Sequence, residues 1–361
     1  MRVARVVVCV SVALFSTLFA CSAISCRAHN GVHARGETAT RRVYFATTMG
    51  CRVEITVDED VDAKARHATR AAMLELDRLD AMLSDWKSTS ELSRWNTSGA
   101  LHASASIDLR TVLARALDIA RASEGRFDPT VGGLVSLWRT SRLSGALPAI
   151  DALHAARERT GWAMVAVDGE SITRTRGDIA LDFGGIAKGF AAIRAIEVLR
   201  EHGCTRGCVA IAGDIACSDA PRGECGWRVS IERAHDLSLD ASTTSTATST
   251  ATSTAATTSC TELMLVNQAI STSGASMQWI EIGGQRYAHI VDPRTGLGAT
   301  NLAQVTVVGP PDCAVDALST ALALTESDDE ARTILAHFPA FGAFIQRTNG
   351  VSALGAWPPS P

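Results

Sequence analysis

Short strand-like runs interleave irregularly with helical patterns along this chain, and that order most limits the folds it can adopt. Strict alternation in the segment CRVEITVDE, which begins at Cys51, predicts a strand. Apolar residues then recur about every 3.6 positions through residues 72–83, which predicts a helix, and a second helical pattern surrounds Leu113. Because strands and helices do not alternate as in regular βαβ units, we expect an α+β or mixed architecture.

The strand-like runs continue through most of the chain. In order they are WAMVAVDG, GDIALDFGG, CVAIAGDIAC, WRVSIER, QAISTSG and AQVTVVGP, and a helix is predicted from about Ile186 to His202. Residues 241–259 contain only Ala, Ser and Thr and offer no large apolar side chain to a core. We therefore expect a solvated loop or disordered insertion there, without catalytic residues, inside a single domain spanning residues 42–357.

The first 26 residues have the pattern of an export signal, with arginines, an apolar stretch over residues 6–20, and then small residues and cysteines. Cys21 ends a Leu-Phe-Ala-Cys sequence that resembles the lipobox of bacterial lipoproteins, and Cys26 is a second candidate for acylation. Plain secretion after cleavage nearby and an uncleaved anchor are the alternatives. We expect a lipid-anchored protein with residues 27–41 as its tether.

The net charge bears on nucleic-acid binding, and the cysteine content bears on disulfide formation. The formal charge of −4 over 361 residues gives no basic footprint, so we expect no nucleic-acid partner. Ten cysteines in an exported chain invite a disulfide interpretation, and their spacing fits no zinc pattern. Cys204 with Cys208, and Cys217 with Cys225, are candidate local disulfides, while plain buried thiols are the alternative.

The segment LDFGGIAKGFAAI has the form of a strand-to-helix turn that could hold phosphate. A strand is predicted to end at Asp182, Gly184 and Gly185 follow, and Lys188 lies in the first turn of the next helix. Glycines permit close backbone approach, and a helix N-terminus offers N–H groups to an anion. The spacing matches neither a Walker loop nor a dinucleotide fingerprint, so an ordinary turn with a solvated Lys188 is the alternative.

The segment AVDALSTAL places Asp316 and Thr320 one helical turn apart on the same face, with Leu318 on the opposite face. Asp312, just after two prolines, is a candidate helix cap. Geometry alone leaves two interpretations open. The pair could be metal ligands, or it could be the polar side of an amphipathic helix.

Three further segments carry polar or aromatic groups suited to a site. His289 and Asp292 precede an Arg-Thr-Gly turn and could supply a base and an anion contact, although a structural histidine is equally consistent. Phe127 and Asp128 form a second turn with a polar group beside an aromatic ring. Trp86 could stack on an aromatic ligand or fill a core.

Seven motifs in this order closely resemble the ApbE family, the FAD:protein FMN transferases, over about residues 43–350. They are Thr48-Met49-Gly50; Ser84 and Trp86 with Ser90-Glu91-Leu92 and Asn96; Gly125 with Phe127-Asp128-Pro129-Thr130-Val131-Gly132; Asp182 with Gly184-Gly185-Ile186-Ala187-Lys188-Gly189; Ser271-Thr272-Ser273-Gly274; His289-Ile290 with Asp292-Pro293-Arg294-Thr295-Gly296; and Asp316-Ala317-Leu318 with Thr320. The sequence departs from the family at Cys51, where Thr is usual, and at Ala212, which replaces a glycine.

The resemblance implies a T-fold-like α+β architecture and a Mg²⁺-dependent enzyme that uses FAD as its substrate. Such enzymes transfer the FMN half of FAD to a Thr or Ser hydroxyl of a redox-complex subunit and release AMP. The family works on the periplasmic side of the bacterial inner membrane, which is where we expect this chain. Some members instead hydrolyse FAD to FMN and AMP.

Roles for individual residues follow from the same resemblance. Asp316, Thr320 and the Gly185 carbonyl are implied as Mg²⁺ ligands, with FAD phosphate oxygens and water completing the shell. His289 is implied as the base for the acceptor hydroxyl, with Asp292 orienting it; a purely positional role for either is the alternative.

The flavin contacts are implied in the same way. Met49 and Trp86 would flank the isoalloxazine, and Lys188 would steady the phosphate or adenosine side. The remaining FAD contacts implied are Arg126, Phe127, Asp128, Asp182 and Ile290.

Three rival functions remain open on the residues alone. Water could replace the protein acceptor, which would make the chain an FAD pyrophosphatase. A non-catalytic flavin-binding lipoprotein would not need Asp316, Thr320 and His289 beside the pyrophosphate. A flavin oxidoreductase is disfavoured because the site is organised around phosphate.

Overall fold

The computed structural model describes residues 41–231, 261–274 and 279–358. The predicted signal at residues 1–26, all but the last residue of the tether, and the insertion at residues 241–259 lie outside that part of the chain. Within it, no helix has both the length and the apolar character needed to cross a bilayer.

The described chain has fifteen strands, eight α-helices and a 3-10 helix at Trp162–Met164. The strands are β1 (Arg41–Thr48), β2 (Cys51–Asp58), β3 (His102–Ser104), β4 (Val165–Asp168), β5 (Ser171–Arg174), β6 (Gly207–Ile211), β7 (Asp214–Cys217), β8 (Trp227–Ile231), β9 (Thr261–Leu265), β10 (Gln268–Ser273), β11 (Trp279–Ile282), β12 (Gln285–Ala288), β13 (Gln304–Gly309), β14 (Gly342–Arg347) and β15 (Gly350–Gly355). The α-helices are α1 (Asp62–Leu83), α2 (Glu91–Ser98), α3 (Ile107–Ala122), α4 (Gly132–Ser144), α5 (Ile150–Arg157), α6 (Ala187–Glu201), α7 (Ala314–Ala323) and α8 (Asp328–Ala336).

An eight-stranded sheet in the order β1-β2-β6-β7-β10-β13-β14-β15 is the frame of the fold. Every neighbouring pair in it is antiparallel. Helix α6 packs on β6 and β7, α7 packs on β10 and β13, and α1 packs on α6. Helices gathered on an antiparallel sheet confirm the predicted α+β class.

The opposite face of the sheet carries a second, smaller core. Side chains alternate along a strand, so Val209 and Ile211 of β6 point to the helices, and Cys208 points the other way. There the β8–β9 hairpin covers the sheet with Trp227 and Leu263. The two faces therefore have separate packing.

Side-chain hydrogen bonds lie at the start of two helices. The Asp312 carboxylate accepts a hydrogen bond from the Ala314 N–H at 2.8 Å, but the N-cap position of α7 is Cys313, one residue after the predicted cap. The Ser90 hydroxyl accepts a hydrogen bond from the Ser93 N–H at 2.9 Å and so caps α2.

The strand predicted in GDIALDFGG is wrong. Residues 177–185 form no strand and make only an isolated bridge between Ala180 and Val131. The Asn96 side chain makes the backbone hydrogen bonds that a neighbouring strand would otherwise make. Its Nδ2 donates to the Leu181 carbonyl, and its Oδ1 accepts from the Leu181 N–H. The run CVAIAGDIAC is a hairpin rather than one strand, with Ala212 at a φ of 52° in its turn.

The two candidate local disulfides do not form either. Cys204, Cys208, Cys217 and Cys225 are all free thiols. The hairpin register is the reason, since it sets Cys208 directly opposite Cys217 on neighbouring strands.

Candidate active site

The site begins where α6 crosses α7. The Gly189 N–H donates to Asp316 Oδ2 at 3.1 Å, and a Cβ at Gly189 would lie only 2.8 Å from the Asp316 Cβ. Glycine is therefore what lets the two helices approach so closely. Asp316 is 2% exposed, so the interpretation of this acid as part of a polar outer face is wrong.

Gly185 lies in the turn that leads into α6. The first N–H groups of a helix have no acceptor within the helix, so the Gly189 N–H, in the first turn of α6, donates to Asp316 without breaking a helical bond. Gly185 also contacts Thr320, since a Cβ at Gly185 would lie 3.1 Å from Thr320 Oγ1.

Hydroxyl contacts fix Thr320 from the sheet side. Ser273 Oγ lies 3.2 Å from Thr320 Oγ1 and 2.7 Å from Ser319 Oγ. Ser271 of the same strand also contacts Ser319, at 3.2 Å. Strand β10 therefore holds α7 in the rotation that presents Asp316 and Thr320 to the start of α6.

Lys188 lies between two buried acids. Its Nζ donates to the Gly184 carbonyl at 3.0 Å and is 3.3 Å from Asp214 and 3.5 Å from Asp316. The alternative of a solvated lysine is wrong. Burial by itself would lower the pKa of Lys188, but the carboxylates of Asp214 and Asp316 outweigh it and raise the pKa.

Sequence reasoning missed Asp214. It begins β7 as a buried residue, and its Oδ1 has no hydrogen-bond partner. The sequence signal was an acid after a glycine in a turn, at a position that fits the family pattern. Together with Asp316 it places two carboxylates around one ammonium group, which leaves an excess of negative charge.

The residues at this crossing fit a Mg²⁺ ion. Burial raises the pKa of Asp316, the charge of Asp214 adds to this, and Lys188 opposes both. Among the described residues no group of three His, Cys, Asp or Glu side chains could hold a metal. The donors are instead one carboxylate, one hydroxyl and one carbonyl, which are hard oxygens of the kind that Mg²⁺ accepts while keeping water and phosphate ligands.

Trp86 and Met49 lie close together at the protein surface. Trp86 is 64% exposed, so its interpretation as a core residue is wrong. Its ring packs beside the β1–β2 turn, because a Cβ at Gly50 would lie 3.5 Å from Trp86 Cη2. Met49 forms that turn with Gly50, at a φ of 52°. An exposed aromatic plane is suited to stacking, and the flavin contact itself stays a prediction.

An acidic pair held by one arginine lies beside the glycine turn. Asp182 Oδ1 accepts from the Gly184 N–H at 2.8 Å, and Arg139 bonds to Asp85 and lies 3.5 Å from Asp182. Burial raises the pKa of Asp182 to about 6, and the neighbouring charge of Asp85 contributes.

Both carboxylate oxygens of Asp128 accept hydrogen bonds from other groups of the protein. Its Oδ1 accepts from the Thr130 N–H at 2.8 Å and hydroxyl at 2.6 Å, and its Oδ2 accepts from the Trp162 N–H at 2.9 Å. Burial raises the pKa of Asp128 even against these bonds. Its evident role is to shape the turn that sets Phe127 against Gly185, where a Cβ would lie 3.2 Å from the Phe127 ring.

Arg126 points to another element. Its guanidinium is 2.8 Å from Glu330 in the first turn of α8. Direct contacts of Arg126 and Asp128 with FAD stay predictions.

His289 and Ile290 follow β12, with His289 exposed and Ile290 packed on the main core. Asp292 is buried and accepts hydrogen bonds from the Arg294 N–H and guanidinium, each at 2.9 Å. These bonds fix the turn that follows. The roles of His289 as a base and of Asp292 in orienting it stay predictions.

This chain is similar to known proteins over most of its length. The family model described as ApbE family matches residues 49–345. An FAD:protein FMN transferase of Klebsiella pneumoniae is 27% identical over 295 residues, covering 79% of this chain and 78% of the relative. One of Vibrio cholerae is 29% identical over 262 residues, covering 70% and 73%.

Solved structures share the fold. The flavin transferase ApbE from Vibrio cholerae superposes with a TM-score of 0.71 at 24% identity, covering 88% of this chain and 97% of that one. The ApbE protein of Thermotoga maritima gives a TM-score of 0.72 at 23% identity, covering 87% and 96%. A family model that spans most of the sequence, on a fold that solved members share, means that this chain belongs to the ApbE family.

Proposed function

We propose that this chain is a Mg²⁺-dependent FAD:protein FMN transferase, which moves FMN from FAD to a Thr or Ser hydroxyl of a partner redox protein and releases AMP. The observation that carries the proposal is the α6–α7 crossing. It brings Asp316, Thr320 and the Gly185 backbone together beside Lys188, with an excess of negative charge. That combination suits a cation, which could in turn bind a phosphate group, and the curated relatives bear the transferase name.

In the proposed reaction the acceptor hydroxyl attacks the FMN phosphorus, and the phosphorus–oxygen bond to AMP breaks with its electron pair leaving on AMP. His289, exposed beside the core, takes the hydroxyl proton. Lys188 balances charge at the buried acids while Trp86 offers its ring to the isoalloxazine. Mg²⁺ bound at Asp316, Thr320 and Gly185 would supply charge neutralisation at the pyrophosphate.

The test is an assay of the chain lacking its first 26 residues with FAD and Mg²⁺, with and without an acceptor protein. AMP release and in-gel flavin fluorescence are followed together. AMP that appears only with acceptor, beside a fluorescent acceptor band, supports the transferase. AMP and free FMN without acceptor would make the chain an FAD pyrophosphatase, and no AMP in either tube would overturn the proposal.

A variant pair sharpens this test. Asp316→Ala should lower AMP release at least about 100-fold, because it removes a ligand of the Mg²⁺ ion that would stabilise transition-state charge. Asp118→Ala, an exposed acid on α3, is the control and should retain full activity. Lys188 keeps Asp214 as its partner in Asp316→Ala, so we expect that variant to stay folded.

We also propose that Cys21 carries a lipid anchor and that the chain works on the periplasmic side of the inner membrane. The apolar stretch that ends at this cysteine supports the assignment. Membrane fractionation should show Cys21→Ser lost from the membrane and Cys26→Ser retained. The reverse result would move the acylation site to Cys26.

A further inference from the structure

Two thiols lie together on the face of the sheet that is opposite the metal site. Cys208 of β6 and Cys217 of β7 are directly paired in the hairpin register, and their sulfur atoms are 3.6 Å apart. Both residues are buried in the second core, under Trp227 and Leu263 of the β8–β9 hairpin. Neither cysteine takes part in the site described above.

The register makes this pair suitable for a disulfide. Pairs along an antiparallel ladder alternate between hydrogen-bonded and non-hydrogen-bonded. The Ser218 N–H donates to the Gly207 carbonyl at 2.9 Å, so the adjacent pair of Cys208 and Cys217 is a non-hydrogen-bonded one. The Cα atoms of such pairs are about 4.5 Å apart, which lies within the range that disulfides span.

We propose that Cys208 and Cys217 become a disulfide when the chain is exported. Two S–H bonds break and one S–S bond forms, two protons leave, and two electrons reduce the disulfide of a thiol–disulfide oxidoreductase to two thiols. The pairing needs an oxidising compartment, so it rests on the export proposed above. It does not depend on FMN transfer.

The structure also indicates when this oxidation takes place. The attacking species in thiol–disulfide exchange is the thiolate. Burial raises the pKa of Cys217, and the hydrogen bond with Cys208 raises it further. The folded protein therefore shields the pair, and oxidation precedes the closure of β8–β9 over it.

The bond would fix the hairpin that positions Asp214. Asp214 and Gly213 lie at the turn end of β6 and β7, and the cysteines lie at the other end. A cross-link there limits fraying of the two strands. The benefit is to the stability of the hairpin rather than to the chemistry.

The test refolds the chain lacking its first 26 residues from denaturant with reduced and oxidised glutathione. Digestion without reduction and mass spectrometry should find the peptides of Cys208 and Cys217 linked. In a second arm, oxidised glutathione added to the folded, reduced protein should produce the link at least about tenfold more slowly, as expected for buried thiols. Free thiols at both positions after oxidative refolding would overturn the proposal, and so would a link from Cys217 to Cys225.

Cysteine variants distinguish the effect of the disulfide on stability from the effect of side-chain packing. Protein refolded with the disulfide should have an unfolding midpoint several degrees above that of protein refolded in dithiothreitol, and Cys208→Ala with Cys217→Ala should remove that difference. Cys225→Ala, which removes an exposed thiol, should leave the difference intact. An equal difference in the double variant would count against the pairing. AMP release, measured separately, reports on the transferase and not on this bond.

Discussion

Asp214 and Asp316 approach Lys188 from different elements, and the balance of charge among the three would decide how readily the proposed Mg²⁺ binds. With both acids present, Lys188 divides its charge between them at 3.3 and 3.5 Å. Without Asp214, the ammonium group would pair with Asp316 alone and compete with the incoming ion. Asp214 is therefore a positioning residue that acts through Lys188.

Asp214→Asn should weaken Mg²⁺ binding about 10- to 100-fold, as is usual when a residue next to the ligands is lost. AMP release at saturating Mg²⁺ should change much less. Titration with Mn²⁺ followed by electron paramagnetic resonance, without FAD, measures the affinity directly. The control is Asp219→Asn, an exposed acid near the same hairpin. An unchanged dissociation constant in Asp214→Asn would show that the acid does not influence the metal site.

Asp182 should make stability depend on pH. Its pKa is raised to about 6 in the folded protein, from 3.8 when unfolded, so folding favours its protonated form. The stabilisation is complete below pH 4 and is lost as the pH rises through 6. Asp182→Asn should therefore gain stability over the parent between pH 4 and 7, by up to about 3 kcal/mol.

Denaturant unfolding at several pH values checks this prediction. Asp178→Asn, which alters an exposed ion pair with Arg176, should show no comparable gain. Parallel stability profiles for the parent and Asp182→Asn would mean that the carboxyl is not protonated preferentially by folding.

The sequence predicted some site residues and not others for a physical reason. Asp316 and Thr320 are one turn apart on one helix, so local periodicity alone places them on one face. Asp214 meets Lys188 only because antiparallel pairing brings β7 beneath α6. Contacts that depend on sheet order have no signal in the local sequence.

At the scale of elements, the crossing of α6 and α7 is the feature on which the site depends. One of the N–H groups in the first turn of α6, which have no acceptor within the helix, donates to Asp316, and a glycine makes room for the close approach. The periodic pattern at residues 72–83 predicted only the second half of α1, whereas the helix predicted from Ile186 to His202 matches α6 to within one residue at each end. Residues 177–185 have a strand-like pattern, but the Asn96 side chain, not a neighbouring strand, bonds their backbone. Local sequence propensity cannot predict a hydrogen bond from a residue that far away in the chain.

Gly189→Ala should disturb the crossing. The added methyl group would meet the Asp316 Cβ at 2.8 Å, so α6 must shift away from α7. We expect a loss of about 1–3 kcal/mol in unfolding free energy, together with weaker Mn²⁺ binding. Gly133→Ala on α4 is the matched control.

A Cβ at Gly133 meets no atom within 4 Å, so this substitution should stabilise the helix by about 0.5–1 kcal/mol. Denaturant unfolding and Mn²⁺ titration of both variants decide the matter. Equal stability of the two variants would contradict a tight crossing.

At the scale of the whole molecule, the sheet separates the candidate site from the two strands that flank the insertion in sequence. The α6–α7 site lies on one face, while β8 and β9, which flank residues 232–260, lie on the other. Ile231 pairs directly with Thr261, so the two strands can be joined by a short turn.

Replacing residues 232–260 with Asn-Gly, a favoured two-residue hairpin turn, should leave AMP release and the unfolding midpoint within error of the parent. Val229→Asp serves as the control that must destabilise, because Val229 is buried in the second core. A shortened chain with a normal unfolding midpoint and reduced AMP release would show that the insertion contributes to the reaction.

The position of Lys188 bears on whether the protein folds before or after it binds a metal. An ammonium group already in contact with both acids is a resident counter-ion, so the core around α6 and α7 can assemble before any metal arrives. Folding and Mg²⁺ binding would then be separate steps. The newly folded protein would stay inactive until the Mg²⁺ concentration around it is high enough for binding.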